Sequence, residues 1–187
     1  MYNRSENGMS ADNQQVSNMR SISNEYLTGF VEGEGCFYVG FSRRKDLPLG
    51  WQIITEFHLS QNPGGKNILK AFSEKLSCGY LKLNHPGSQK DKTWVLIIKN
   101  RQDLIQKLIP FFGKYRLQTT KYEDYQIFKK TLKIIAQNQH LSKEGFRKIV
   151  DLVFSTQRET NKRYTKENIL RSSETIRRKP TLRRAKI

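Results

Sequence analysis

The spacing of apolar residues changes period several times along the chain, and each change marks an element. A helix is predicted from about Ile22 to Gly33, with Ser21 or Ser23 as its N-cap. Strict alternation follows. Phe37, Val39 and Phe41 alternate with Tyr38, Gly40 and Ser42, and Trp51, Ile53, Phe57 and Leu59 alternate with Gln52, Glu56, His58 and Ser60. Both runs are expected as strands, Cys36–Arg43 and Trp51–Gln61, parted by a turn at Leu47-Pro48-Leu49-Gly50. After Asn62-Pro63-Gly64-Gly65 a helix is predicted at Lys66–Leu76. Strands at Gly79–Asn84 and Thr93–Lys99 then flank a loop at Pro86-Gly87-Ser88. Further helices are expected at Arg101–Phe112, Thr120–Gln137 and Lys143–Gln157. The order is αββαββα plus C-terminal helices, an α+β fold with one antiparallel sheet. Each strand reads apolar on one side, so one face of the sheet meets the core and the other meets solvent or a ligand.

Composition divides the 187 residues further. Hydrophobic residues make up 36%, below the usual share for a globular chain, which leaves room for tails. Residues 1–20 read as a polar, disordered leader, 21–157 as the folded domain, and 158–187 as a basic C-terminal tail. That tail holds eleven Lys/Arg against three Glu and reads either as a solvated basic tail or as a DNA-contacting arm that tracks phosphates.

Charge narrows the partners. Thirty-four Lys+Arg against 17 Asp+Glu leave +17, which favours a polyanion because neutralising phosphates releases condensed counterions. No apolar run is long enough to span a bilayer and no signal peptide opens the chain; a membrane surface would need a basic amphipathic helix, whereas the clearest apolar stretches read as strands. Nucleic acid is therefore expected over membrane. Cys36 and Cys78 make neither a disulfide framework nor a zinc site, and are expected as small, partly buried residues. His58, His85 and His140 lack metal-ligand spacing. A P-loop is excluded, because position 60 before Gly64-Gly65-Lys66 is Ser60 where the motif needs glycine.

The chemistry is densest at Leu27-Thr28-Gly29-Phe30-Val31-Glu32-Gly33-Glu34-Gly35. Gly29 and Gly33 lie on one helix face at a cost of roughly 1 kcal/mol each, a cost that suits close approach of two backbones. Glu32 and Glu34 sit at the helix C-terminus, where the macrodipole disfavours negative charge by about 0.3–1 kcal/mol each. Carboxylates so placed in a basic protein suggest a hard cation meeting phosphate.

This nonapeptide resembles the motif that names the LAGLIDADG homing endonucleases, with Thr28 for alanine, Phe30 for leucine and glutamates for both aspartates. Phe57-His58-Leu59-Ser60-Gln61 is similar to the end of the family's second strand. Leu117-Gln118-Thr119-Thr120-Lys121-Tyr122-Glu123-Asp124-Tyr125 is similar to the segment opening a late helix. The resemblance covers roughly residues 22–157 and implies a saddle-like antiparallel sheet.

One copy of the motif implies a homodimer packed through Gly29 and Gly33, with Glu32 capping or bracing the partner helix. Glu34 would be the primary ligand of Mg²⁺ or Mn²⁺, joined by the Gly33 carbonyl. Gln61 would position the attacking water, and Lys121 would steady phosphate charge, with Lys114 and Arg116 as alternatives. The sheet's polar face would lie along the major groove. Alternation onward from Glu34 gives Tyr38, Ser42 and Arg44. Counting back from Gln61 gives His58, Glu56 and Gln52, and the second hairpin offers Tyr80, Lys82, Asn84 and Thr93. A two-fold protein favours a pseudo-palindromic target. The implied activity is metal-dependent, site-specific cleavage of double-stranded DNA, promoting intron mobility. The rival readings on this fold are a maturase that binds intron RNA and a non-catalytic DNA-binding regulator. Family analogy places the product in a chloroplast or mitochondrion.

Overall fold

A computed structural model of the chain describes residues 22–155 and 163–175. The leader at 1–20, the N-cap candidate Ser21 and the last basic residues of the tail lie outside them. The first helix, α1, spans Asn24–Glu34 and is capped by Ser23, whose hydroxyl accepts from the Tyr26 N–H. Strands β1 (Gly35–Arg43) and β2 (Trp51–Gln61) follow, joined through a turn in which the Gly50 N–H donates to the Leu47 carbonyl. Helix α2 (Lys66–Leu76), strands β3 (Tyr80–Leu83) and β4 (Trp94–Ile98), and a helical run in three pieces complete the αββαββα order. That run is α3 (Arg101–Asp103), a wider π turn over Leu104–Leu108, and α4 (Ile109–Lys114). Pro110 has no N–H to give to the carbonyl four residues back, so strict α geometry is lost just before it. Helices α5 (Lys121–Ala136), α6 (Lys143–Val153) and α7 (Lys166–Thr175) follow. The expected α+β class and antiparallel sheet are both present.

The sheet is ordered β1-β2-β4-β3, and every neighbour is antiparallel. Its inner face packs on the helices. Phe37, almost fully buried, stands at the centre, with ring centroids of Phe57, Phe112, Tyr125 and Phe128 at 5.2–5.6 Å. Around these rings close Leu27 and Val31 of α1, Leu69 and Phe72 of α2, and Leu104 and Leu108. A second cluster lies under the far ends of β1 and β2, where Trp51 and Ile53 meet Phe146, Ile149 and Val150 of α6.

Three features depart from the sequence reading. The helix expected at Lys143–Gln157 ends at Val153. Strand β4 does not alternate: Val95 and Ile97 face outward with Ser60 and His58 yet are nearly fully buried. They occupy an inner strand and are flanked in register by Lys82 and Tyr80, so their neighbours' side chains shield them. Finally, part of the segment read as a basic tail is helix α7. Its Ile169 is fully buried, Trp51 Nε1–H donates to Ser172 Oγ at 3.1 Å, and Tyr164 stands edge-on to the Trp51 ring. Lys166 pairs with Asp151 of α6 at 2.9 Å. Ile169, Tyr164 and Leu170 pack on the second cluster, a short apolar signal set among eleven positive charges.

Removing the central ring measures the first core. Phe37→Ala should cost about 3–5 kcal/mol of unfolding free energy in a urea titration, since four aromatic neighbours would surround a void. A loss below 1 kcal/mol would place the core elsewhere.

Candidate active site and nucleic-acid face

The junction of α1 and β1 builds the site. Gly35 caps the helix with an N–H to the Val31 carbonyl. A Cβ at Gly35 would sit 2.5 Å from Val31 Cγ1 and 2.7 Å from Val31 O, so the chain passes from helix to strand with no room for a side chain. Val31 before the junction is fully buried and Phe37 after it almost so. Between these anchors Glu34 points outward, exposed, and no hydrogen bond engages it among the described residues. Gly29 and Gly33 lie exposed on the same helix, and a Cβ at either would meet nothing within 4 Å. With Tyr26, 54% exposed, and half-buried Phe30 they leave an open face of small and aromatic residues.

Glu32 is placed differently from its expected role. Its carboxylate accepts from the Thr119 hydroxyl and from the backbone N–H groups of Gln118 and Thr119 in its own chain. Those donors lie in the turn that opens α5, so Glu32 ties the end of α1 to the start of α5. Burial pushes its carboxyl up, but the Thr119 and Gln118 hydrogen bonds and the charge of Lys121 outweigh this and hold it below the usual range. A carboxylate so engaged has little left for a partner helix.

Lys121, first residue of α5, reaches back to donate from Nζ to the Gly35 carbonyl at 2.6 Å. It therefore stands at the same junction as Glu34. Lys114 and Arg116 hold their charges over the rings of Tyr115 and Tyr122. Gln61 ends β2 opposite Trp94, and Leu59 pairs with Gly35, so Gln61 stands at the Glu34 end of the sheet. Its side chain folds onto the next turn, with Oε1 accepting from the Asn62 N–H at 2.7 Å. Counting back from Gln61 by twos leads to Leu59 and Phe57, which are fully buried, and not to His58, Glu56 and Gln52. Those three belong to the opposite face.

That outer face carries the remaining expected residues. Tyr38 pairs with Glu56, Ser42 with Gln52, and Cys36 with His58. Tyr80 and Lys82, both exposed, lie across from Ile97 and Val95 on the same side. Asn84 continues the ladder through its N–H to the Thr93 carbonyl at 2.8 Å. Arg44, past the end of β1, forms a two-point pair with Asp46 at 2.9 and 2.8 Å and reaches Gln52 at 3.4 Å. Hydrogen bonding from Arg44 lowers the Asp46 carboxyl to about 2. Cys36 is exposed on this face rather than partly buried, Cys78 is half-buried, and both are free thiols.

Among the described residues no group of three or more His, Cys, Asp or Glu comes together to hold a metal. One chain offers a single unengaged carboxylate at the junction, Glu34. A cation bound there would need further oxygen ligands from outside the chain, such as phosphate or a second copy.

A family model described as LAGLIDADG endonuclease matches residues 27–132, more than half of the chain, and the chain belongs to that family. "Probable intron-encoded endonuclease 2" of Neurospora crassa is 27% identical over 146 residues, 75% of this chain and 30% of the relative. "DNA endonuclease I-CeuI" of Chlamydomonas moewusii is 33% identical over 95 residues, 51% of this chain and 42% of that one. The chain thus spans less than half the length of these curated relatives. Among solved structures, the homing endonuclease I-TnaI aligns with a TM-score of 0.69 and 33% identity, covering 83% of this chain and 99% of that chain. I-CeuI in complex with DNA aligns with a TM-score of 0.75 at 23% identity, covering 84% and 79%, a likeness of fold.

The Glu32 tie has a pH signature. A depressed carboxyl contributes stability that is present above its unfolded value, near 4.5, and is lost as pH falls through the lower folded value. Glu32→Gln should therefore unfold more easily than wild type at pH 7, by about 0.5–2 kcal/mol as for other lost caps. The gap should close progressively below about pH 4.5. A pH-independent gap in paired thermal melts would show that the charge of Glu32 contributes nothing.

Proposed function

We propose that this protein is a site-specific, metal-dependent DNA endonuclease that acts as a homodimer on a long pseudo-palindromic duplex. The observation that carries this reading is the exposed, unengaged Glu34. It stands at a helix C-terminus where charge is disfavoured, beside Lys121 and below a sheet face lined with polar side chains. Glu34 and the Gly33 carbonyl would hold Mg²⁺ or Mn²⁺, which supplies a Lewis acid for phosphodiester hydrolysis. Gln61 orients the attacking water once its side chain leaves the Asn62 turn. Lys121, held at the junction, steadies charge on the phosphate.

Two copies meet through the open α1 face, where Gly29 and Gly33 allow the backbones to approach. Each copy then brings one Glu34 toward the two-fold axis. Two such carboxylates repel each other unless a cation stands between them and phosphate. The outer sheet face follows the major groove, and the excess of positive charge supplies attraction to the duplex. The curated relatives carry intron-encoded endonuclease names, and we extend from them a role in intron mobility inside a mitochondrion or chloroplast. Binding of intron RNA is the second reading, favoured only by the same basic composition.

Two variants separate assembly from chemistry. Gly29→Val adds bulk where the single chain has open space, so it should fold normally yet sediment as a monomer and lose cleavage. Glu34→Gln should remain a dimer and retain duplex binding, while cleavage in Mg²⁺ falls by at least about a hundredfold, the scale of losing a charge-stabilising group in a transition state. Cleavage by Glu34→Gln at the wild-type rate would overturn the catalytic assignment, and a dimeric Gly29→Val would overturn the interface.

A further inference from the structure

We propose that Glu56, oriented by His58, is a specificity-determining residue that selects one cytosine in each half of the DNA target. The inference rests on the endonuclease reading and concerns which base the sheet reads.

Glu56 is the only acid among the outward-facing residues of the four described strands, in a protein of net charge +17. A carboxylate on a face that meets phosphate-rich DNA is repelled unless it finds a donor. In the major groove the base-edge donors are the exocyclic amino groups of cytosine and adenine. Adenine sets its N7 acceptor beside that amino group, so a carboxylate opposite adenine would bring two acceptors together. Cytosine presents the N4 amino group alone. An ionised carboxylate, which only accepts, therefore discriminates in favour of cytosine.

The side chain is already organised for this. His58 Nε2 lies 2.8 Å from Glu56 Oε2, and since the carboxylate only accepts, Nε2 carries the proton and His58 donates. The second oxygen, Oε1, has no partner among the described residues and is left for a ligand. Both side chains are about a third exposed, 32% for His58 and 27% for Glu56, so the pair is partly desolvated yet within reach. Tyr38, directly across from Glu56, lies with its ring near-parallel to His58, interplanar angle 13° and centroids 6.3 Å apart. Tyr38 can lie so because Gly40 follows on its face: a Cβ there would fall on the phenol oxygen, 2.2 Å away. A glycine inside a strand costs roughly 0.5–1 kcal/mol relative to alanine, and the path of Tyr38 explains why this one stands here. Tyr38 and His58 form a low wall beside the Glu56 carboxylate, which narrows the directions from which a base edge can approach.

The test is selection from a randomised duplex library with Mg²⁺, sequencing bound and cut fractions for wild type, Glu56→Gln and Glu56→Arg. Wild type should enrich a two-fold motif in which one position per half-site prefers cytosine by about tenfold or more. Glu56→Gln, which both donates and accepts, should move that position to adenine. Glu56→Arg should move it to guanine. All other positions should stay as in wild type, which also shows that the variants fold. A motif unchanged at every position would overturn the inference while leaving the endonuclease reading intact. So would loss of enrichment at all positions in both variants, because Glu56 would then be a general support. No enriched motif from wild type would defeat the endonuclease reading itself, and this inference with it.

Discussion

The fold turns on the passage from α1 into β1 at Gly35. There the strand leaves the helix against the backbone of Val31, closer than any side chain allows, while buried Val31 and Phe37 hold the two flanks. The arrangement at this end of the sheet follows from that fixed corner. Glu34, one residue before it, has only the outward direction. The Gly35 carbonyl becomes the acceptor for Lys121, and the β1–β2 register that starts at Gly35 with Leu59 sets which strand residues face out. A slip of β1 by one residue along β2 would exchange Tyr38 for Phe37 on the outer face.

Against its large positive charge, the acids of this chain are placed with economy. Glu32 is spent within the molecule, where four contacts from the α5 turn satisfy it and convert a poorly placed helix-end charge into a tertiary tie. Glu34 is left exposed and unengaged at the C-terminal end of α1, where the helix dipole disfavours its charge. Glu56 is half-engaged by His58, with one oxygen free. These three acids therefore sit in three different settings: one is satisfied within the fold, one is exposed and unengaged, and one keeps a single oxygen free.

Much of this was legible in the sequence because it depends on period and position. Alternation over residues 36–43 and 51–61 assigned Tyr38, Ser42, Gln52, Glu56 and His58 to one face, and the structure keeps them there. Pattern could not carry what depends on contacts between distant segments. The Glu32 carboxylate meets Thr119 across 87 residues, and nothing in its own neighbourhood announces that partner. Gln61 shares the parity of Leu59 and Phe57, which the sequence itself carries; the structure adds that those two are fully buried and that Gln61 ends the strand opposite Trp94. Val95 and Ile97 are shielded by neighbouring strands, which alternation within one strand does not describe. Helix α7 docks through Ile169 and Trp51, a pairing masked by the surrounding basic residues.

The central claim is that each of two copies contributes one Glu34 to cut one strand. The most direct measurement is cleavage by mixed dimers, one copy wild type and the other Glu34→Gln, separated by differing affinity tags and presented with supercoiled plasmid carrying the selected target in Mg²⁺. The account predicts a nicked circle as the accumulating product, because only one strand meets an intact carboxylate. Linear product at the wild-type rate, or no strand cut at all, would contradict it.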